Sequence, residues 1–190
     1  MNRRVLGIIS VVAIALLVVV GVIYVKLHPS AQLQNASVAP ADGSIEIGSR
    51  APQFTIPTTQ GPFDLNAETK PVFLEIFATW CPHCQRETVI LNALYATYGT
   101  RVAFIAIPGS ETGMDGTSAE SPFDVLNFVM AFKVKYPIGE YDPNLTIAKL
   151  WLKGGYPTIA VIGENKIVSY INSGEIPQKE LAAQLDRALK

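Results

Sequence analysis

The sequence predicts one α/β domain on a mixed sheet, preceded by a single apolar helix. Three observations carry this. Apolar runs at Val72–Phe77 and Val102–Ile107 flank a helical pattern, as in a strand–helix–strand unit. Further on, Thr158–Ile162 and Lys166–Ile171 flank the turn residues Gly163-Glu164-Asn165, which marks an antiparallel hairpin. Residues 5–25 contain no charged side chain at all.

As a helix, residues 5–25 would be roughly 31 Å long, close to the hydrocarbon thickness of a bilayer. Arg3 and Arg4 precede this run and only Lys26 follows closely. Positive charge is retained in the cytoplasm, so the folded domain is expected on the extracytoplasmic, periplasmic side of the cytoplasmic membrane. The run is too long for the apolar part of a cleaved leader, and no Ala-x-Ala site follows at His28-Pro29-Ser30-Ala31-Gln32. The expected organisation is therefore a signal anchor over residues 1–27, a flexible linker over 28–44 and one domain over 45–190. The linker is rich in Ala, Ser, Pro, Gln and Asn and has no apolar periodicity. A net charge of −1 provides no electrostatic basis for a nucleic-acid partner.

Within the domain, Phe54-Thr55-Ile56 and Phe63-Asp64-Leu65 read as a short hairpin turning at Gly61-Pro62. Val72–Phe77 is apolar on both faces apart from Glu75, as suits a central strand. A helix follows over Pro82–Tyr98, with Val89, Leu91, Leu94 and Tyr95 on its apolar side and Gly99 closing it. Residues 108–121 break the alternation with Gly, Ser, Thr and acidic side chains, and are expected to form a functional insert. Ser121-Pro122 and Asp142-Pro143 each combine an N-cap residue with a proline, predicting helices to about Lys133 and to just before Gly154-Gly155. Leu181, Leu185 and Leu189 mark an amphipathic terminal helix.

The chemistry is concentrated in Trp80-Cys81-Pro82-His83-Cys84, which holds both cysteines of the chain. Two thiols three positions apart, at a strand-to-helix junction, can close a small disulfide ring and reopen it. A structural bridge gains most by closing a long loop, so this spacing favours a redox role. A Cys81 sulfur at the helix start faces unpaired N–H groups and the positive end of the helix dipole, which favours thiolate. Cys84, one turn deeper, is expected to be buried and less acidic. Cys81 is thus the expected nucleophile and Cys84 the resolving thiol, with the Cys81–Cys84 disulfide the only redox group required and no cofactor or metal. His83 can bring an imidazole toward the thiolate, and Pro82 occupies an early helical position without losing a needed N–H. Two cysteines and two histidines are too few for a zinc site, and Gln85 stands where covalent haem attachment needs histidine. A copper-binding chaperone on the same scaffold is the alternative from another functional class.

The element order, the Trp-Cys-x-x-Cys after the first long strand and Tyr156-Pro157-Thr158 before the last hairpin together resemble a thioredoxin-like fold. With the N-terminal hairpin, the insert and the anchor, residues 46–190 resemble the TlpA/ResA-like membrane-tethered thiol–disulfide oxidoreductases. The resemblance implies that Pro157 is a cis-proline facing the disulfide, with Tyr156 presenting backbone to an extended substrate and Trp80 shielding the site. It implies that Glu75 is the buried acid that assists proton transfer to Cys84, and that Glu87 matches an acid found just beyond the motif in ResA-like members. The residues alone also fit an ordinary turn proline, a Glu75 that reaches solvent or a lysine, and an exposed first-turn Glu87. Implied partners are exported cysteine-containing proteins such as apocytochrome c and a membrane thiol–disulfide donor or acceptor. Direction is divided: the architecture resembles that of a reductant, while Pro82-His83 matches the dipeptide of the oxidising DsbA proteins.

Overall fold

Residues 45–190 are described in the structure, a computed structural model; the expected anchor and linker lie outside the described residues. Among the described residues no helix is long and apolar enough to cross a membrane. The strands are β1 (Thr55–Thr58), β2 (Gly61–Asp64), β3 (Val72–Phe77), β4 (Ala103–Pro108), β5 (Thr158–Ile162) and β6 (Val168–Ser173). The helices are α1 (Pro82–Tyr98), α2 (Pro122–Ala131), α3 (Thr146–Trp151) and α4 (Gln178–Ala188). β1 and β2 form a separate ribbon, and the main sheet runs β4-β3-β5-β6. β3 is parallel to β4 and antiparallel to β5, so the predicted mixed sheet is present with the longest apolar run at its centre.

Every residue of β3 is buried, and strand alternation sorts them onto two cores. Val72, Leu74 and Ile76 pack with Ile105, Ile107 and Trp151. Phe73 and Phe77 pack on the other face with Leu91, Leu94, Phe128, Leu181, Leu185 and both cysteines. Glu75, between those two phenylalanines, therefore points into the cysteine-bearing core.

Several boundaries differ from the sequence expectation, each for a local reason. The ribbon turns at Thr59-Gln60, not at Gly61-Pro62; Gly61 takes φ +110°, and the Thr58 hydroxyl donates to Gly61 O and accepts from Gln60 N–H. Pro57 and Pro62 thus sit opposite each other within the strands. Val89 is 72% exposed, because Cys84, Glu87, Thr88, Leu91 and Leu94 set the inward phase of α1 and leave Val89 nearly opposite. α2 stops at Ala131, ahead of the left-handed Lys133. α3 starts at Thr146, because the Asp142 carboxylate accepts from the N–H groups of Asn144 and Thr146 and Leu145 is left-handed. Lys166 belongs to the turn, with φ +64°, and β6 begins at Val168.

Residues 108–121 fold as a bridged loop, with Thr112 paired to Ala119 and Glu120 N–H donating to Glu111 O. The loop is tied to the end of β3 by the Thr79 hydroxyl, which donates to Glu120 Oε2 at 2.7 Å. Glu120 Oε1 is buried without a hydrogen bond. Burial pushes the Glu120 carboxyl up to about 7, with the Thr79 hydrogen bond opposing and Asp124 adding to the rise.

Two stability measurements follow. Leu91→Ala is expected to lower the unfolding free energy by roughly 2–5 kcal/mol, whereas Val89→Ala changes it by less than about 0.5 kcal/mol; urea midpoints at constant m distinguish them. Because the folded-state pKa of Glu120 lies above the unfolded value of 4.5, its favourable contribution is complete below pH 4.5 and is lost as pH rises through about 7. Glu120→Gln keeps an acceptor for Thr79 and removes the titration. Its stability relative to the parent should therefore climb by on the order of 2–3 kcal/mol between pH 4.5 and 8; a constant difference would contradict the assignment.

Candidate active site

Cys81 occupies the N-cap of α1 in an extended conformation, with Pro82 as the first helical residue. Its N–H donates to Ala78 O and its carbonyl accepts from Gln85 N–H, both at 3.1 Å, which fixes the turn from strand into helix. Cys81 Sγ lies 3.8 Å from Tyr156 O. The Tyr156–Pro157 peptide is cis and sits beside the motif, where the resemblance implied it. Trp80, 37% exposed, stands edge-on to Tyr156 at 6.1 Å and donates from Nε1 to Ser110 Oγ at 2.8 Å. Tyr156 donates its hydroxyl to Gly109 O. Trp80 and Tyr156 are therefore both held by the 108–121 loop. Ser110 and Gly109 were not singled out by sequence reasoning, which found the loop but no anchor in it.

Cys84 is completely buried. Desolvation pushes its thiol well above the ordinary value, and the neighbouring Glu75 carboxyl adds to the rise. Glu75 is 3% exposed, so the solvent-reaching alternative does not hold. Burial first, and Glu87 second, raise it to about 8, while a hydrogen bond from Tyr136 opposes. Glu87 is also fully buried, not an exposed first-turn residue. Its carboxylate oxygens have no hydrogen bond of ordinary geometry, and desolvation raises it to about 7, with the Ile176 backbone opposing and Glu175 adding to the rise. One thiol and two carboxyl groups thus share a buried region that disfavours their charged forms.

His83 lies outside this region. Its Nδ1 is 2.8 Å from Glu175 Oε2, and Arg86 grips the same carboxylate with Nε to Oε1 at 2.8 Å and Nη2 to Oε2 at 2.7 Å. Arg86 Nη2 is also 2.8 Å from His83 Nδ1, which donates to the carboxylate when it carries the hydrogen and accepts from the guanidinium when it does not. The Arg86 hydrogen bonds, then that of His83, draw Glu175 down to about 2. The ring expected near the thiolate is engaged by an acid from the loop after β6. Gly174, at φ +93°, turns that loop, and nothing in the local pattern marked Glu175 as a partner of the motif. Among the described residues no group of three or more His, Cys, Asp or Glu side chains has the geometry to hold a metal ion.

Comparison with known proteins agrees with this geometry. Residues 46–189 match the Redoxin family model. The chain is 30% identical over 147 residues to the thiol-disulfide oxidoreductase ResA of Bacillus cereus (strain ZK / E33L), covering 75% of this chain and 79% of that protein. It is 28% identical over 145 residues to the thioredoxin-like protein YneN of Bacillus subtilis (strain 168), covering 75% and 80%. Among solved structures, a putative thiol:disulfide interchange protein DsbE from Chlorobium tepidum superposes with a TM-score of 0.67 at 24% identity, over 77% of this chain and 100% of that one. The cysteine pair at a helix start, the adjacent cis-proline and these relatives lead to one assignment: the chain belongs to the redoxin family and is a ResA-like thiol–disulfide oxidoreductase of the thioredoxin superfamily.

Proposed function

We propose that this oxidoreductase is a membrane-tethered reductant, acting on exported cysteine-containing proteins at the extracytoplasmic face of the cytoplasmic membrane. The observation that carries the direction is the Arg86–Glu175–His83 cluster. An imidazole next to a Cys-x-x-Cys pair makes its disulfide oxidising by stabilising the reduced thiolate. Here the nearby positive charge is answered by a carboxylate, which weakens that effect. The tether rests on the uncharged run over residues 5–25 and the basic residues before it. Apocytochrome c is one fitting substrate, because its haem-attachment cysteines must be reduced.

In the proposed cycle, the Cys81 thiolate attacks a substrate disulfide; one substrate sulfur leaves as thiolate and a Cys81–substrate mixed disulfide forms. Cys84 then passes its proton to Glu75, and its thiolate attacks Cys81 Sγ. The Cys81–Cys84 disulfide forms, and the second substrate sulfur leaves and takes up a proton. Substrate gains two electrons and two protons, and a membrane thiol donor restores the two enzyme thiols. Glu75 suits the transfer because it is buried next to Cys84 and titrates at about 8. Tyr156 O, 3.8 Å from Cys81 Sγ, lies where an extended substrate would pair with backbone.

Cys84→Ser is expected to accumulate mixed disulfides with substrate, visible on non-reducing gels, and Cys81→Ser is not; equal trapping by both would reverse the assigned roles. Equilibration with glutathione is expected to place the potential near that of thioredoxin, about −270 mV. Glu175→Gln should move it toward more oxidising values by at most about 20 mV, the scale of an exposed charge pair. A parent potential near the DsbA value of about −120 mV would exclude the reductant reading.

A further inference from the structure

The turn that brings Tyr156 O toward Cys81 contains Gly154 and Gly155, which have no side chains to pack. Gly154 takes φ +79°, and a Cβ built on either glycine would meet nothing within 4 Å. Side-chain packing therefore does not set the path of this turn. A buried hydroxyl does. Thr158, 1% exposed, is the first residue of β5. Its Oγ1 donates to Gly155 O at 2.7 Å and accepts from Lys153 N–H at 3.0 Å. One hydrogen and one lone pair of the hydroxyl thus span the glycine pair.

The hydroxyl is itself well anchored. Thr158 lies opposite Ile76 of β3 and opposite Ser173 of β6, so its backbone is fixed from both sides of the sheet. By strand alternation it shares a face with Ala160 and Ile162, which pack with Trp151 of α3 in the core opposite the cysteines. The chain from α3 into the turn rises on that face. On the other side of Tyr156, Gly174 N–H donates to Pro157 O at 2.8 Å. Tyr156 thus stands between two tied neighbours, with its carbonyl 3.8 Å from Cys81 Sγ.

We infer that Thr158 is a positioning residue for the exchange reaction: its hydroxyl fixes the Gly154-Gly155 turn, and through it the place of the Tyr156 backbone beside Cys81. This rests on the reading that an extended substrate pairs with the Tyr156 backbone. Thr158→Val keeps the shape of the side chain but takes the partner from Gly155 O and Lys153 N–H. With no side-chain packing to hold it, the turn then shifts to let these groups reach water, and the Tyr156 carbonyl shifts with it. Cys81, Cys84 and Glu75 belong to α1 and β3, so the sulfur chemistry is left as it was. The effect falls on the binding of peptide substrates.

The test compares two oxidants of the reduced full chain in detergent micelles. One is an extended peptide with a disulfide between two of its cysteines. The other is bis(hydroxyethyl) disulfide, which has no peptide backbone. Thr158→Val is expected to raise KM for the peptide about three- to tenfold at unchanged kcat, the scale of a net hydrogen bond. Its rate with bis(hydroxyethyl) disulfide should stay within about twofold of the parent's. Thr158→Ser restores the hydroxyl and should return the peptide KM toward the parent value. A parent-like peptide KM in Thr158→Val, or equal slowing of both oxidants, overturns the role of Thr158. The underlying reading is tested by methylating, one at a time, the peptide nitrogens that flank the attacked cysteine. At least one methyl group should raise KM in the parent, because the Tyr156 carbonyl accepts only from an N–H. If none does, backbone pairing fails and this inference fails with it. If one does while Thr158→Val binds like the parent, Thr158 alone loses its role. Should Thr158→Val not fold, amide exchange of the parent decides. Lys153 is an exposed residue, so protection of its N–H supports the bond to Thr158, and exchange at the rate of a free peptide overturns it.

Discussion

Cys84, Glu75 and Glu87 are all buried on one face of the central strand, and most of the site follows from that constraint. Holding an ionised group there without full pairing is costly, so burial pushes each toward its neutral form. Two elementary periodicities put them together. Strand alternation sends Glu75 inward between Phe73 and Phe77, and the helical spacing of Cys84, Glu87, Thr88 and Leu91 turns both the thiol and the second acid toward it. Cys81, at the N-cap beside Tyr156 O, is buried as well, at 4% exposed, so the two cysteines differ in their neighbours more than in their exposure.

Magnitudes separate what the buried acids do from what the surface cluster does. Raising Glu75 from 4.5 to about 8 corresponds to several kcal/mol of preference for its protonated form. Exposed pairs such as His83–Glu175, with side chains 57% and 39% accessible, are weakened by solvent and screened by salt. The charge states of the buried groups are accordingly set from inside the fold, while the His83 cluster lies at the exposed surface.

The sequence made the scaffold legible because its signals were local. The boundaries of β3 and α1 coincide with an apolar run and with a proline and a glycine at the helix ends. The cysteine motif and Tyr156-Pro157 were found the same way. The partners that condition them were not, because they come from distant segments and carry no local signature. Tyr136 follows an unremarkable stretch, and Glu175 sits in a loop after the last strand. Glu120 lies among other acidic and polar residues of a loop whose fold depends on the bridge between Thr112 and Ala119. The Pro-His dipeptide is a short motif, whereas the carboxylate that engages its imidazole, Glu175, is 92 positions away in the sequence.

The 108–121 loop shows why an insert can be integral to a site without contributing a reacting atom. It binds two segments of the site at once, Thr79-Trp80 through Glu120 and Ser110, and Tyr156 through Gly109 O. Gly109 has to be glycine, since a Cβ there would lie 2.5 Å from Ile76 Cγ2 in the opposite core. That close approach seats the loop on the end of β3, next to the cis-proline segment. The Cys-x-x-Cys turn and the cis-proline turn belong to separate strands, β3 and β5, paired only as far as Ile76 and Thr158. Beyond that pair the sheet no longer holds them in register, and the loop's hydrogen bonds to Thr79, Trp80 and Tyr156 join the two turns where Cys81 Sγ lies 3.8 Å from Tyr156 O.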